Sequence, residues 1–432
     1  MAAANLKKSV GGGGAGGSLR SWFVWRPAVL GICAMILLSA SAGIISGYMT
    51  LGRGTVFNRA GQDFGIIYRS VRQHGAGRSL YDLDETGEDL WWGRNLNLPH
   101  ANVALLPLTA LAPSAALPVW LALSVLALAD TGRRTIRGTD ARLGWFGALA
   151  LFVYLLAWAP TAAMVLTLQV SLLVMWVVAL AWLHARRGEW ASAGLWLGLA
   201  GSVKPFLLVS LPYLAIRRQW TALGCALAAV GGMVALGIAV FGLESYREWL
   251  RQAGEITWTA HYMNASITGV LERWIGRSSG YAPLFRAPGL VAPLGIAASG
   301  LVGLFTLRRI ARDGQSSEVI DSEWVAWLLA SLLMSPLGWI YYFWLALPPL
   351  VVVSVRSAPW ARRRTSDLMW LFGVVGLLWF ASMTVWGQPR WWATLTLGSM
   401  YFWALMALWL WTLREVPVGP SGAARGASEA GR

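Results

Sequence analysis

The chain has 432 residues, 56% of them hydrophobic and 13% charged, with a mean hydropathy of +0.54. Soluble domains carry about a quarter charged residues, so this composition excludes a soluble globular enzyme. The net charge of +15 would point to nucleic acid in a soluble protein. Here the basic residues stand beside long apolar runs, where a cytoplasmic positive bias explains them and excludes a nucleic-acid partner.

In chain order, residues 1–26 form a polar, glycine-rich segment expected to be cytoplasmic. The run 27–50 is too long for a signal-peptide core and lacks a cleavage site, so it is read as a retained first span. About twelve spans follow from the apolar runs: 27–50, 100–129, 143–159, 162–184, 189–203, 205–216, 219–242, 288–307, 323–340, 341–356, 367–386 and 391–413. The expected fold is therefore an all-α polytopic membrane bundle, with a single transmembrane domain over 27–414 and a disordered cytoplasmic tail over 415–432. Cys33 and Cys225 sit inside apolar runs and read as small buried hydrophobes, implying neither a disulfide nor a metal site.

With the N-terminus in the cytoplasm, 22 of the 35 Lys and Arg residues fall on the cytoplasmic side and 12 on the outer side, with Lys204 left inside the membrane. The acids divide ten and ten, so the asymmetry belongs to Lys and Arg alone, as the positive-inside rule requires. Both termini are then cytoplasmic. A break is expected at Lys204-Pro205, because Pro205 removes a backbone donor and biases the preceding residue away from helix. Two long segments, 53–99 and 243–286, remain outside the membrane on the extracytoplasmic face, where loop chemistry is expected.

Five places carry residues with chemical potential. After the first span, Phe64, Ile67, Tyr68 and Val71 repeat at i, i+3, i+4 and i+7, predicting an amphipathic helix on the membrane surface. Asp63 stands at its start, either as a helix cap or as a general base. Pro99 and His100 sit where the chain enters the second span, and His100 is either a helix-start contact or a catalytic group. Lys204 is either an interface lysine or a buried phosphate anchor. In the second outer loop, Ile267, Val270, Leu271 and Trp274 predict another interfacial helix, capped by Asn264 or Ser266. Asn264-Ala265-Ser266 also matches a glycosylation acceptor, and Arg273 and Arg277 are either solvated or turned to an anionic headgroup. Finally, Pro336 breaks a span and Tyr341-Tyr342 stand at the outer turn, where an aromatic belt is the plain reading. No P-loop, GxGxxG, HExxH or paired CxxC is present.

Taken in order, these pieces resemble glycosyltransferase family 87, membrane glycosyltransferases of the GT-C type that use polyprenyl-phosphate sugars. Asp63-Phe64 with Ile67-Tyr68 is similar to the family's Asp-Phe-x-x-Tyr-Tyr stretch, and Leu98-Pro99-His100 to its Tyr-Pro-Pro. Leu168-Gln169-Val170-Ser171-Leu172-Leu173, Arg186-Arg187-Gly188 and Lys204-Pro205-Phe206 follow in the family's order, then Asn264, Ser266, Gly269 and Arg273. One departure stands out: the family's Ser-Pro-x-x-Trp-x-His-His reads Ser335-Pro336-Leu337-Gly338-Trp339-Ile340-Tyr341-Tyr342. Tyrosine can donate a hydrogen bond to a phosphate oxygen but carries no positive charge at neutral pH.

The resemblance implies a hexosyltransferase of the cell membrane, moving a hexose, mannose in the best-known members, from a polyprenyl-phosphate donor to an extracytoplasmic lipid or glycan acceptor. Inversion with Asp63 as general base is implied, with Lys204, Arg273 and His100 at the donor phosphate and no metal or other cofactor. Tyr68, Gln169, Asn264, Ser266, Tyr341 and Tyr342 are the candidate substrate contacts. A membrane transporter or lipid flippase, or a catalytically inactive family member, is the alternative. Broken spans with charges at the break also occur in transporters, although no internal repeat is visible.

Overall fold

The computed structural model describes residues 62–81, 95–140, 143–256, 258–278, 280–310, 316–360, 365–378 and 390–416. The expected first span at 27–50, Cys33, the glycine-rich N-terminal segment and the tail from 417 lie outside the described residues. Among the described residues every regular element is helical, and the two β-bridges, Trp158 with Leu378 and Asn264 with Trp339, are isolated.

Five helical stretches are long and apolar enough to cross a membrane: Pro113–Gly138, Trp220–Phe241, Pro288–Ile310, Ile340–Ser357 and Trp391–Glu415. In the first three, most of the residues are not buried in the protein. Val125, Leu126 and Ile296 stand out from them, with Ile296 75% exposed. Such surface is compatible with lipid and costly in water.

Several expected spans are divided. The run 100–129 becomes a 3-10 helix, Pro99–Ala110, followed by α2, Pro113–Gly138, because Pro113 starts a new helix and Ala112 before it is extended. Within 143–184, α3 (Trp145–Ala157), α4 (Ala159–Thr167) and α5 (Ser171–Arg186) are separate. Leu168, left-handed with φ 50°, ends α4. A non-glycine residue there is strained, and the turn it makes presents Gln169.

The break at Lys204 forms as expected. α6, Trp190–Val203, ends at Lys204, which is extended (φ −130°, ψ 93°) ahead of Pro205. A 3-10 turn, Pro205–Val209, leads into the short α7, Ser210–Ile216. Tight turns flank this pair. Gly188, at φ 74°, closes the turn after α5, and the N–H of Glu189 reaches back to the His184 carbonyl at 3.0 Å.

α8, Trp220–Phe241, packs on α6 at backbone distance. A Cβ on Gly194 would lie 2.0 Å from the Ala222 carbonyl oxygen, and one on Gly198 2.4 Å from that of Ala226. Gly194 and Gly198 are spaced as a GxxxG pair facing alanines, the arrangement that lets membrane helices touch through their backbones.

The centre of the bundle is α12, Ser317–Met334, flanked by α11, Val291–Ile310, and α13, Leu347–Ser357. It is buried from Val319 to Leu333. The helix thus begins before the expected span 323–340, which adds Glu318 and Asp321 to the Glu323 already within that span. Asp321 is held by Arg186 and Arg356, each at 3.0 Å, and by the Trp182 indole at 2.9 Å. Glu323 is held by Arg217 at 3.3 Å and by the Tyr213 hydroxyl at 3.2 Å. Arginines from the C-terminal ends of three separate helices, α5, α7 and α13, thus meet at one end of α12. Ser335 lies about 21 Å away, fourteen residues along the helix.

The two amphipathic helices form, but their apolar faces meet protein rather than lipid. In α1, Gln62–Gly75, residues Phe64, Ile67, Tyr68 and Val71 are all buried in a cluster with Leu105, Leu108, Trp120 and Phe241. In α10, Ile267–Ile275, Ile267 and Val270 enter the main core, while the Trp274 indole donates to the Ser399 hydroxyl at 3.0 Å. A 3.6-residue period reports an apolar face without saying what covers it. A third such helix, α9 (Glu244–Ala253), lies between α8 and α10 in the outer segment. The remaining elements are α14 (Thr365–Gly376), α15 (Trp391–Leu395) and α16 (Met400–Glu415).

The α6–α8 contact gives a direct expectation. Gly198→Val should destabilise the protein by at least about 1–3 kcal/mol, the usual cost of overpacking, in thermal unfolding. Gly231→Ala, on α8 where a Cβ meets nothing within 4 Å, should be neutral or stabilising. Equal melting temperatures for the two variants would refute the close helix contact.

Candidate functional site

The broken segments meet at a cavity of about 670 Å³. Asp63 and Ile67 of α1 form part of its wall, with Asn97 from the strap before Pro99, Gln169 from the turn after Leu168, and Lys204, Pro205 and Phe206 from the α6 break. Trp249 of α9, Trp258 and His261 contribute from the second outer segment. Ser335, Pro336, Trp339, Tyr341 and Tyr342 complete it beyond the end of α12. Except for those on α1 and α9, these positions are helix ends, 3-10 segments or irregular backbone.

Asp63 lies inside the first turn of α1 and is partly exposed. Among the described residues no hydrogen bond ties its carboxylate to the backbone. The helix N-terminus still favours a negative charge there. Burial pushes its carboxyl up to about 6, against the opposing pull of the Lys204 charge. A carboxylate with this elevated proton affinity is suited to take a proton near neutral pH.

Lys204 is 7% exposed. Its Nζ donates to Asn97 Oδ1 at 3.1 Å and lies 5.1 Å from the centre of the Tyr342 ring. An ammonium in such surroundings costs roughly 2.5–3.5 kcal/mol to insert, partly offset by the amide and by the ring face. Tyr342 packs on Phe206, with ring centres 5.0 Å apart, and edge-on to Tyr341 at 4.7 Å. Tyr341 shares the cavity wall with Gln169 and Asp63. The tyrosine pair is buried, at 6% and 7% exposure, so it forms cavity wall and not an aromatic belt.

Other residues singled out in the sequence are used elsewhere. Arg273 is 1% exposed, and its Nη1 donates to the carbonyls of Asn264 at 2.9 Å and His261 at 3.0 Å. It sits 5.9 Å from the Tyr281 ring centre, does not line the cavity, and fastens the 260–264 turn to α10. His100 is 2% exposed, with Nε2 2.9 Å from the Ser202 carbonyl and Nδ1 2.9 Å from the Tyr246 hydroxyl. Since a carbonyl only accepts, Nε2 is the donor, and both ring nitrogens are engaged away from the cavity. Tyr68 donates to the Leu111 carbonyl at 2.6 Å, pinning α1 to the start of α2.

Ser266 caps α10, accepting from the Gly269 N–H at 3.0 Å. Asn264 is 0% exposed and staples two turns together. Its Oδ1 accepts from the N–H groups of Ser266 at 3.1 Å and Gly338 at 2.9 Å, and its Nδ2 donates to the carbonyls of Thr259 and Pro336. An amide so engaged is closed to glycosylation in the folded protein. Asn264 and Ser266 therefore shape the cavity from behind.

Asn97, Trp249, Trp258 and His261 are cavity residues that the sequence reading passed over. His261 is buried, and burial together with the Arg273 charge holds its imidazole down at about 3, hence neutral. The available signal was compositional: polar and aromatic residues concentrated in the two outer segments, although no spacing rule marks these four.

The sequence profile of glycosyltransferase family 87 matches residues 96–336, a stretch containing the Asn97, Gln169 and Lys204 walls of the cavity. The chain belongs to glycosyltransferase family 87. Its matched region begins after Asp63 and ends before the tyrosine pair.

Two similar relatives are polyprenol-phosphate-mannose-dependent alpha-(1-2)-phosphatidylinositol pentamannoside mannosyltransferases. The one from Mycolicibacterium smegmatis is 29% identical over 234 residues, covering 52% of this chain and 54% of the relative. The one from Mycobacterium tuberculosis is 26% identical over 325 residues, covering 72% of each. The chain thus spans about half the length of the first relative and more of the second. No solved structure matches this family 87 chain.

Arg273 and Lys204, both buried cations, should behave oppositely when neutralised. Arg273→Met should lower thermal stability by about 1.5–3 kcal/mol, because it removes charged hydrogen bonds to several carbonyls. Lys204→Met should leave stability unchanged or raise it, since a costly buried charge disappears. The reverse ranking in thermal unfolding would mean that these two roles have been exchanged.

Proposed function

We propose that this chain is a membrane mannosyltransferase, transferring a hexose from a polyprenyl-phosphate sugar to a lipid or glycan acceptor on the extracytoplasmic face. The observation that carries the reading is the convergence of Asp63 and Lys204 on one cavity from segments 141 residues apart in the chain. The names of the two relatives supply the donor class, a polyprenol-phosphate mannose, and a lipid-borne mannoside as the acceptor class.

The chemistry follows from the charges. The acceptor hydroxyl approaches the anomeric carbon from the side opposite the phosphate. Asp63 takes the hydroxyl proton as the new oxygen–carbon bond forms, and the bond from the anomeric carbon to the phosphate oxygen breaks with its electron pair going to the phosphate. Configuration inverts in the single displacement. The departing polyprenyl phosphate gains negative charge, which the Lys204 ammonium stabilises in a site shielded from water. Tyr341 and Tyr342 can donate hydrogen bonds to phosphate or sugar oxygens, in place of the charge that a histidine pair could carry. Trp249, Trp258 and Trp339 offer flat apolar faces to the sugars and the first isoprene units.

Sidedness is supported by the bundle itself. Arg186, Arg217 and Arg356 gather at the opposite end of α12 from the cavity. With that end cytoplasmic, as positive charge prefers, the cavity opens extracytoplasmically and the enzyme resides in the cell membrane.

Asp63→Asn tests the base. It preserves size and place while removing proton acceptance, at a helix-dipole cost of about 0.3–1 kcal/mol. Transfer of labelled mannose from polyprenyl-phosphate mannose should fall about a hundred- to ten-thousand-fold, with donor binding retained. Because the base works only when ionised, the parental rate should climb with pH through about 6 and level off above it, and the residual rate of Asp63→Asn should lack this limb. Near-parental transfer by the variant would remove Asp63 from the mechanism.

A further inference from the structure

Two asparagines of the strap before the 3-10 helix Pro99–Ala110, Asn95 and Asn97, are joined side chain to side chain with a third, Asn102, inside that helix. Their orientation can be read from one end. Lys204 Nζ can only donate, so the Asn97 atom 3.1 Å from it is the carbonyl oxygen. Asn97 Nδ2 then donates to Asn95 Oδ1 at 3.2 Å, and the same oxygen accepts the Asn97 backbone N–H at 3.1 Å. Asn95 Nδ2 donates to Asn102 Oδ1 at 3.0 Å. Asn102 Nδ2 ends the chain on the carbonyls of Leu98 at 2.8 Å and Pro99 at 3.3 Å. Each amide turns its oxygen toward Lys204 and its nitrogen away from it. Aligned dipoles of this kind polarise one another where water is scarce, and Asn95 and Asn102 are 4% and 0% exposed.

The choice of amides has an electrostatic meaning. The other buried cations that line up with side chains, Arg186 and Arg217, are paired with the carboxylates of Asp321 and Glu323. Lys204 makes no such ion pair among the described residues, and Asp63 reaches it only through space. A carboxylate at position 97 would cancel the ammonium and present an incoming anion with a neutral pair. An amide oxygen solvates and orients the same ammonium while leaving its unit charge intact. The backbone of the strap is fixed independently, since the Tyr81 hydroxyl donates to the Asn97 carbonyl at 2.7 Å and the Trp249 indole to that of Leu96 at 2.9 Å.

We propose that Asn97, held by Asn95 and Asn102, is a positioning residue that fixes the Lys204 ammonium at the cavity wall without neutralising it, so that its full charge meets the donor phosphate. This rests on the reading of Lys204 as the phosphate anchor. Asn97 acts through Lys204, and the ordered amide chain is what keeps the flexible lysine stem from turning elsewhere.

The test is the binding of polyprenyl monophosphate to the purified full chain in lipid nanodiscs, with uncharged polyprenol of the same length as reference. The parent should bind the phosphate more tightly than the alcohol. Asn97→Ala should weaken phosphate binding about tenfold, the scale of one charge-assisted hydrogen bond. The near-isosteric Asn97→Asp should weaken it at least as much, because it keeps an acceptor for Lys204 but adds the neutralising charge. Polyprenol binding should stay at the parental level in both variants, reporting an intact cavity, and in transfer assays the donor KM should rise more than kcat falls. If both variants bind the phosphate as the parent does while Lys204→Met does not, the positioning role is refuted and the anchor stands. Loss of polyprenol binding alongside phosphate binding would make Asn97 a packing residue and refute it equally. If the parent shows no preference for phosphate over alcohol, the anchor reading falls and this proposal falls with it.

Discussion

The break at Lys204 is the constraint on which the cavity depends. Pro205 has no N–H to offer and drives Lys204 into an extended conformation, so α6 stops inside an otherwise apolar stretch. Backbone that leaves the helix at that depth must be satisfied by protein or face a polar space. Two neighbours answer with breaks of their own. The α4–α5 junction turns at the strained Leu168, and α12 ends before the Ser335–Trp339 turn. The three interruptions lie side by side, and the gap between them is the cavity. Close packing of α6 on α8 through Gly194 and Gly198 fixes the helix that ends at Lys204.

Buried charge is handled in two ways within one molecule. At one end of α12, Asp321 and Glu323 are matched to arginines with hydrogen bonds to spare, an arrangement that fixes register between helices and leaves little net field. At the other end, Asp63 and Lys204 face a common cavity without pairing, and each keeps a partner of weaker polarity or none among the described residues. Unpaired opposite charges across a cavity are unfavourable for the resting protein and suited to a reaction that moves a proton one way and negative charge the other. The same contrast explains why Arg273, although buried and central, belongs to the architecture. Its Nη1 donates to the backbone carbonyls of His261 and Asn264, and it does not line the cavity.

Much of this was legible in the sequence because it follows from short-range rules. The apolar runs, the break before Pro205 and the cap at Ser266 each depend on a few neighbouring residues. The helices around Asp63 and Arg273 were legible too, but the partner of their apolar faces was not. Periodicity cannot distinguish a lipid surface from Trp120 and Phe241, which arrive from far along the chain. Span boundaries failed where hydropathy ran smoothly through a break, as at Leu168. Asp63, Gln169, Lys204 and the tyrosine pair, all singled out in the sequence, line the cavity, whereas His100, Arg273 and Asn264 carry family-like spacing but lie outside its wall and bond to neighbouring backbone. Asn97 was missed because an asparagine is meaningful only through the group it faces. That group, Lys204, lies 107 residues away in the chain.

The central claim is that one cavity brings the Lys204 ammonium to the donor phosphate and the Asp63 carboxylate to the opposite side of the reacting sugar. A cryo-electron microscopy structure of the protein in nanodiscs saturated with polyprenyl monophosphate tests it most directly. The account predicts phosphate density within hydrogen-bonding distance of Lys204 Nζ, the isoprenoid chain leaving along the apolar wall, and room for a sugar between the phosphate and Asp63. Phosphate bound outside this cavity, or inside it with Asp63 and Lys204 on the same side of the phosphorus, would contradict the account.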